Sequence, residues 1–306
     1  PWNSNHKFFA SDQTCRPYLY MNSVKQAYED YLYENNTGGS GKASSYLKSL
    51  EWLNQMLEIQ PYDFADCKDI WSINDVSRLQ HFRERVLEEK RKQSLSPWVN
   101  NDIPISYLRD GYCTSALAEL IEFIPQFRHT QQVMQLFKQH DSSDGSELAE
   151  KLNFEPSIPT GYVHDPESQD GKDRIAEAKV RIGQRAFRKM ILSNYNSRCC
   201  ITGLDIPSVN RASHIIAWAD PKGKKIRMDP CNGLCLSATY DAAFDQHLIS
   251  LDEDHRIILS KGINEHYTSQ SVQTYFHSKK GDAITLPKAY LPKQDYLEHH
   301  RKKGQF

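Results

Sequence analysis

Arg211-Ala-Ser-His-Ile-Ile-Ala-Trp218, Pro230-Cys-Asn-Gly-Leu-Cys-Leu236 and Tyr240-Asp-Ala-Ala-Phe-Asp245 decide how the C-terminal part of this chain folds. The run from Ser213 to Trp218 is apolar and strand-like, with His214 near its start, and Asn232 opens a second such run at Leu234-Cys-Leu236. Turn-rich Asp220-Pro-Lys-Gly-Lys-Lys225 separates them. Ala238 to Leu248 contains neither Pro nor Gly and reads as a helix. The layout is strand, loop, strand, helix.

Asp241 and Asp245 are four apart, so at about 3.6 residues per turn both carboxylates share one helix face. Like charges at that spacing repel by a few tenths of a kcal/mol, and a hard divalent cation converts the repulsion into binding. Alone, the spacing more often describes a solvated helix face. His214 and Asn232 upstream change the weighing. A neutral imidazole suits removal of a proton from water, best when a second group fixes the ring, and an Asn amide can do so by bonding the main chain around the His or across the loop.

These motifs occur in order with Gly183-Gln-Arg-Ala-Phe-Arg188, Tyr195-Asn-Ser-Arg-Cys-Cys-Ile-Thr-Gly-Leu204, Ala212-Ser-His-Ile-Ile216, Asn232-Gly-Leu-Cys-Leu-Ser237 and the tail Leu291-Pro-Lys-Gln-Asp-Tyr-Leu-Glu-His-His-Arg301. From roughly residue 180 to 306 the chain thus resembles the HNH endonucleases, in the branch found in bacterial restriction-type proteins. The resemblance implies a ββα-metal fold in which His214 is the general base, Asn232 fixes it, and Asp241 and Asp245 hold the metal. It implies cleavage of double-stranded DNA to 5′-phosphate and 3′-hydroxyl ends.

Three departures bear on that assignment. Ser213 stands where many family members carry an Asp or His ligand, which makes it a weak ligand or outer support. The last metal position is a carboxylate, favouring Mg²⁺ or Mn²⁺ over Zn²⁺. Cys199, Cys200, Cys231 and Cys235 lack the spacing of two CxxC pairs, so core thiols are expected rather than structural zinc.

Charge is split unevenly. The net charge of the 306-residue chain is −1, yet residues 174–306 carry +8 and the remainder −9. A basic part beside an acidic one points to nucleic-acid contact by the former. Lys222, Lys224, Lys225 and Arg227 lie between base and Asn, and Arg185 and Arg188 belong to a helix expected over 175–195 with Ile182, Ala186, Met190 and Ile191 on its buried face. Beside a phosphodiesterase site all six are expected to contact DNA phosphates. His299-His300, in a basic tail, are expected to meet DNA backbone or solvent.

The composition, 39% hydrophobic and 25% charged, is that of a globular protein, and the length allows two domains. The expected class is α+β: an α-helical accessory or recognition domain over 1–138, a linker over 139–173 and the nuclease domain over 174–306. The linker reading rests on His140-Asp-Ser-Ser-Asp-Gly145, Pro156, Pro159-Thr-Gly161 and Asp165-Pro-Glu-Ser-Gln-Asp-Gly171, with a short helix near 146–152. Helical spacing marks 23–34, 43–59, 76–93 and 115–123, with Asn22 and Asn74 as N-caps, Gly38-Gly-Ser-Gly41 as a turn and 97–111 as a loop. Tyr28, Tyr31, Tyr33, Trp52 and Trp71 read as core aromatics.

Seven cysteines, no secretory leader and no apolar run of about eighteen residues give a cytoplasmic expectation with no membrane contact, and Met21 reads as the natural start. Double-strand cleavage by one site per chain implies a homodimer or two sequential nicks. Two other readings share these residues: a DNA-binding module with a catalytically weak HNH core, and an RNA-directed or toxin nuclease.

Overall fold

The structure is a computed structural model that describes residues 24–36, 39–73, 75–100, 102–140, 145–159, 162–163 and 165–306; Met21, Asn22, Gly38 and Asn74 lie outside them. Among the described residues, five α-helices build the first part: α1 (Val24–Asn35), α2 (Lys42–Ile59), α3 (Val76–Lys92), α4 (Ile105–Arg109) and α5 (Tyr112–Gln139). Their apolar stripes bury Tyr28, Leu32, Leu53, Phe82 and Leu117 in one core, beneath which Trp98 donates its indole N–H to the Gln60 carbonyl at 2.8 Å. The cap of α3 is Asp75, which accepts from Ser77 N. Tyr28 and Tyr31 are buried as expected, whereas Tyr33 is exposed. Helix α4 interrupts the expected 97–111 loop.

Helix α5 runs far past the expected 115–123. Pro125 lies inside it, and the helix continues because its two ends are buried in different cores, which offsets the missing hydrogen bond. Ile121 and Ile124 belong to the first core, Val133 and Met134 to the second.

The second core gathers α6 (Gly145–Leu152), α7 (Gln169–Asn194), a β1 (Asn210–His214) and β2 (Gly233–Ser237) pair, α8 (Ala238–Asp245), a β3 (Ile249–Leu251) and β4 (Ile257–Leu259) pair, α9 (Lys261–His266), α10 (Gln270–Tyr275) and α11 (Gln294–Gly304). Within the stretch expected as a linker, α6 therefore packs into this core. Leu148 and Leu152 of α6 are fully buried in this core, and Ser168 caps α7 by accepting from Gly171 N at 3.0 Å. Small polar residues suggested solvent, but the apolar face of α6 decided its place. No helix among the described residues is long and apolar enough to cross a membrane.

Strands β1 and β2 pair antiparallel, with Asn210 opposite Ser237 and His214 opposite Gly233. His214 therefore ends its strand instead of starting one; the apolar residues after it, Ile215 and Ile216, are buried in a bend. Helix α7 crosses beside Gly233, where any Cβ would lie 2.3 Å from Ile191 Cδ1 and 2.8 Å from Phe187 Cζ, so only glycine admits the helix that closely.

Of the two tail histidines, His300 is not a surface group. His300 is 3% exposed and stacks on Phe244 of α8 with centroids 3.9 Å apart. Its Nε2–H donates to the Phe244 carbonyl at 3.0 Å, so Nδ1 accepts from Ser250 Oγ at 2.9 Å. His299 Nε2 lies 3.2 Å from the Asp220 carboxylate. The helical spacing of α11 turned one histidine into the core and the other toward an acid.

Burial lowers the His300 pKa from 6.5 to about 4. The folded chain then binds fewer protons than the unfolded one across that window, so this contribution is complete above 6.5 and is lost as pH falls toward 4. Urea denaturation should show His300 costing about 1.4 kcal/mol per pH unit there. His300→Gln, which keeps a donor and does not titrate, should flatten the wild-type slope by one proton; identical slopes would place His300 in solvent.

Candidate active site

Strand β1 delivers His214 to a ring-lined slot. The imidazole lies almost parallel to Phe187 of α7, with centroids 3.7 Å apart and planes 14° apart, and its edge meets Trp218 at 5.5 Å. Nε2 is 3.0 Å from the Arg227 carbonyl oxygen. A carbonyl only accepts, so Nε2 carries the hydrogen and the neutral ring keeps its lone pair on Nδ1. Burial, reinforced by the Arg227 charge and opposed by the carbonyl bond, lowers its pKa to about 4. The ring is neutral near pH 7, and an approaching phosphodiester anion strengthens it as a base.

The loop after β1 must return to place that carbonyl, and Asn232 closes it. Fully buried, Asn232 accepts from Ile216 N at 2.8 Å through Oδ1 and donates through Nδ2 to the carbonyls of Ile216 at 3.1 Å and Ile226 at 3.4 Å. Its own carbonyl takes Ile215 N at 2.9 Å, and its N–H donates to Asp229 O at 2.9 Å. Asp229 is buried too, held by Cys231 N at 2.8 Å and Tyr296 Oη at 2.7 Å. Arg227 closes the other side, its Nε donating to Trp218 O at 3.0 Å with the guanidinium over the indole.

Asp241 and Asp245 occupy one face of α8, against the opposite side of β1. Ser213 precedes His214 and therefore faces away from Phe187. Its hydroxyl is buried and aimed at the Asp241 carboxyl without closing a hydrogen bond of good geometry. Burial raises the pKa of Asp241, opposed by Ser213 and by the charges of Arg211 and Arg188. Asp245 is raised by burial and by Asp241.

Two repelling acids and an orphaned hydroxyl fit a hard cation. Among the described residues no three His, Cys, Asp or Glu side chains form a metal cage, so a cation here would take two carboxylates and complete its shell with water. Cys199, Cys200, Cys231 and Cys235 are all buried, and burial pushes the Cys231 and Cys235 thiols up to about 12.

The six basic candidates separate. Lys222, Lys224 and Lys225 are exposed on a 3-10 turn (Pro221–Lys225) that Asp220 caps and anchors to α11 through His299 and Lys303. Arg185 instead points to the first core, 3.4 Å from Glu34 and over the Tyr31 ring, while Arg188 spends its guanidinium on the carbonyls of Asn210 and Pro207, both at 2.6 Å. As the chain stands, both are bracing groups. Sequence reading missed Phe187 and Trp218 as the walls of the His214 slot and Arg211 as a cation beside Asp241. Alternation along the strand, which puts Arg211 and Ser213 on one face, was the available signal for the last.

Residues 199–252 match the model of a family described as HNH endonuclease. That segment holds His214, Asn232, Asp241 and Asp245, and it supports nuclease activity in general terms. No curated protein matches the chain.

Asn232→Ala leaves Ile216 N–H and its carbonyl without their buried partners, an expected loss of about 2–4 kcal/mol. In metal-free wild type, His214 should titrate at about 4 as the Nε2–H tautomer by ring-nitrogen NMR, and in Asn232→Ala its pKa should move toward 6.5. Titration near 6.5 in wild type would break the link between clasp and ring.

Proposed function

We propose that this chain is a metal-dependent HNH endonuclease that hydrolyses double-stranded DNA to 5′-phosphate and 3′-hydroxyl ends. The observation that carries the reading is the His214 ring, held by Nε2–H on the Arg227 carbonyl with Nδ1 left as the base, one residue after the serine that faces Asp241. The match of residues 199–252 to the HNH endonuclease family supports the same reaction class.

In this reading Nδ1 of His214 takes a proton from a water aligned behind the scissile phosphorus. The water oxygen bonds to phosphorus as the bond to the 3′-oxygen breaks, and the leaving oxygen is protonated from solvent. Asn232 acts through the loop, keeping the ring in one tautomer and orientation. Asp241 and Asp245 would hold Mg²⁺ or Mn²⁺, which supplies charge neutralisation at the phosphate oxygens. Lys222, Lys224 and Lys225 beside the slot would follow the DNA backbone. The helical first core would serve as the accessory or recognition part, and a role in restriction or phage defence rests on the resemblance of the motifs to restriction-type HNH proteins.

The test is time-resolved cleavage of supercoiled plasmid with Mg²⁺ or Mn²⁺, with and without EDTA. Wild type should cut only with metal, and His214→Ala should lose about 10²–10⁴-fold in rate with its fold intact. Asp245→Ala should also need more metal. A nicked intermediate that accumulates indicates two successive nicks, and direct linearisation a dimer. Near-normal cutting by His214→Ala would overturn the assignment.

Reversal of Lys224 and Lys225 to Glu should weaken binding of a duplex to a cleavage-inactive background and reduce the slope of log affinity against log salt by about 0.9 for each phosphate that is no longer neutralised. An unchanged slope would make the turn ordinary surface.

A further inference from the structure

We infer that Arg211 is a catalytic residue that grips the scissile phosphate of a nucleic-acid strand on the carboxylate side of β1, opposite the water-activating ring. This rests on the nuclease reading and adds to it a residue with a defined task.

Strand alternation sends Arg211 and Ser213 to one face of β1 and His214 to the other. Residues two apart on a strand are about 6.8 Å apart, so an arginine at 211 reaches the space in front of the carboxylate that Ser213 faces. The other arginines near this site are committed: Arg188 to two carbonyls, Arg227 to Trp218 O and its ring, Arg185 to Glu34. Arg211 is exposed, and its one hydrogen bond among the described residues runs from Nη1 to Ser208 O at 3.0 Å. That bond fixes one side of the guanidinium fork and leaves the rest of its donors for phosphate oxygens. Arg188 braces the same segment from behind, through Pro207 and Asn210, so the side chain is mounted on a stiff support.

Charge arithmetic gives Arg211 its task. A divalent cation on Asp241 and Asp245 makes a neutral set, because Ser213 adds no charge. A phosphodiester enters with one negative charge and acquires a second as water adds and before the 3′-oxygen leaves. Arg211 supplies one positive charge, and the imidazolium formed as His214 takes the water proton supplies a second, so the site matches the two negative charges of that state rather than the single charge of the ground state.

The experiment compares wild type, His214→Ala, Arg211→Gln and Arg211→Lys in three assays: plasmid cleavage at saturating DNA, Mn²⁺ binding by calorimetry without DNA, and the salt dependence of duplex binding by anisotropy with Ca²⁺ in place of Mg²⁺. Arg211→Gln should lower kcat about 10²–10³-fold and reduce the salt slope by about 0.9. It should leave Mn²⁺ affinity unchanged or tighter, because a cation that repels the metal is gone; Arg211→Lys should restore part of kcat. Cleavage by Arg211→Gln within twofold of wild type would overturn the proposal. So would parallel losses of Mn²⁺ affinity and Tm, which would mark Arg211 as a structural partner of Asp241. If wild type and His214→Ala behaved alike, the nuclease reading would fail by itself, and the salt slope would still decide whether Arg211 touches phosphate: a smaller slope in Arg211→Gln supports it, and an unchanged slope rejects it.

Discussion

The buried amide of Asn232 closing on the main chain of Ile216 is the constraint on which the rest of the site depends. An antiparallel pair sets only His214 opposite Gly233; it does not say where the intervening loop goes. The paired bonds to Ile216, with the third to Ile226, fold that loop back on β1 and bring the Arg227 carbonyl to the imidazole. A buried amide with its partners made is worth keeping, because any substitution leaves main-chain groups unsatisfied in the interior. Asp229, Tyr296 and Lys293 carry the same constraint outward to α11, whose His300 reaches back to the end of α8 just before Asp245. Base and acids are thus fixed by one connected set of bonds.

The two sides of β1 have different physics. On the α7 side the ring is packed between aromatics and kept neutral by burial. On the α8 side burial raises both acids, Asp241 raises Asp245 further, and Ser213, Arg211 and Arg188 oppose the rise at Asp241. Successive residues of one strand, Ser213 and His214, divide between these surroundings. A proton acceptor and an anionic face are thereby held on opposite sides of one strand.

Much of this was legible in the sequence because it depends on local spacing. The acids at 241 and 245 need only helix geometry, and the apolar positions of α7 at 182, 186, 190 and 191 are all buried. The strand, loop, strand, helix order needed turn residues and β-rich runs, although the first strand ends at His214 where the run of apolar residues suggested it began. What local spacing could not carry was tertiary. Pro125 would ordinarily end α5, but two cores hold the helix through it. The polar stretch at 139–173 hid the apolar face of α6, and His300 looked like part of a cationic tail until α11 turned it inward. Arg185 and Arg188 have the composition of DNA contacts, yet which carbonyls and carboxylates surround an arginine is decided by chain segments far away in sequence.

Manganese located by anomalous diffraction from crystals of the full chain tests the central claim most directly, because it asks where the cation sits without asking whether DNA is cut. One anomalous peak is expected between the carboxylates of Asp241 and Asp245, on the Ser213 side of β1 and away from the Phe187 side. A manganese peak bound elsewhere with these two acids empty, at a concentration that supports cleavage, would contradict it.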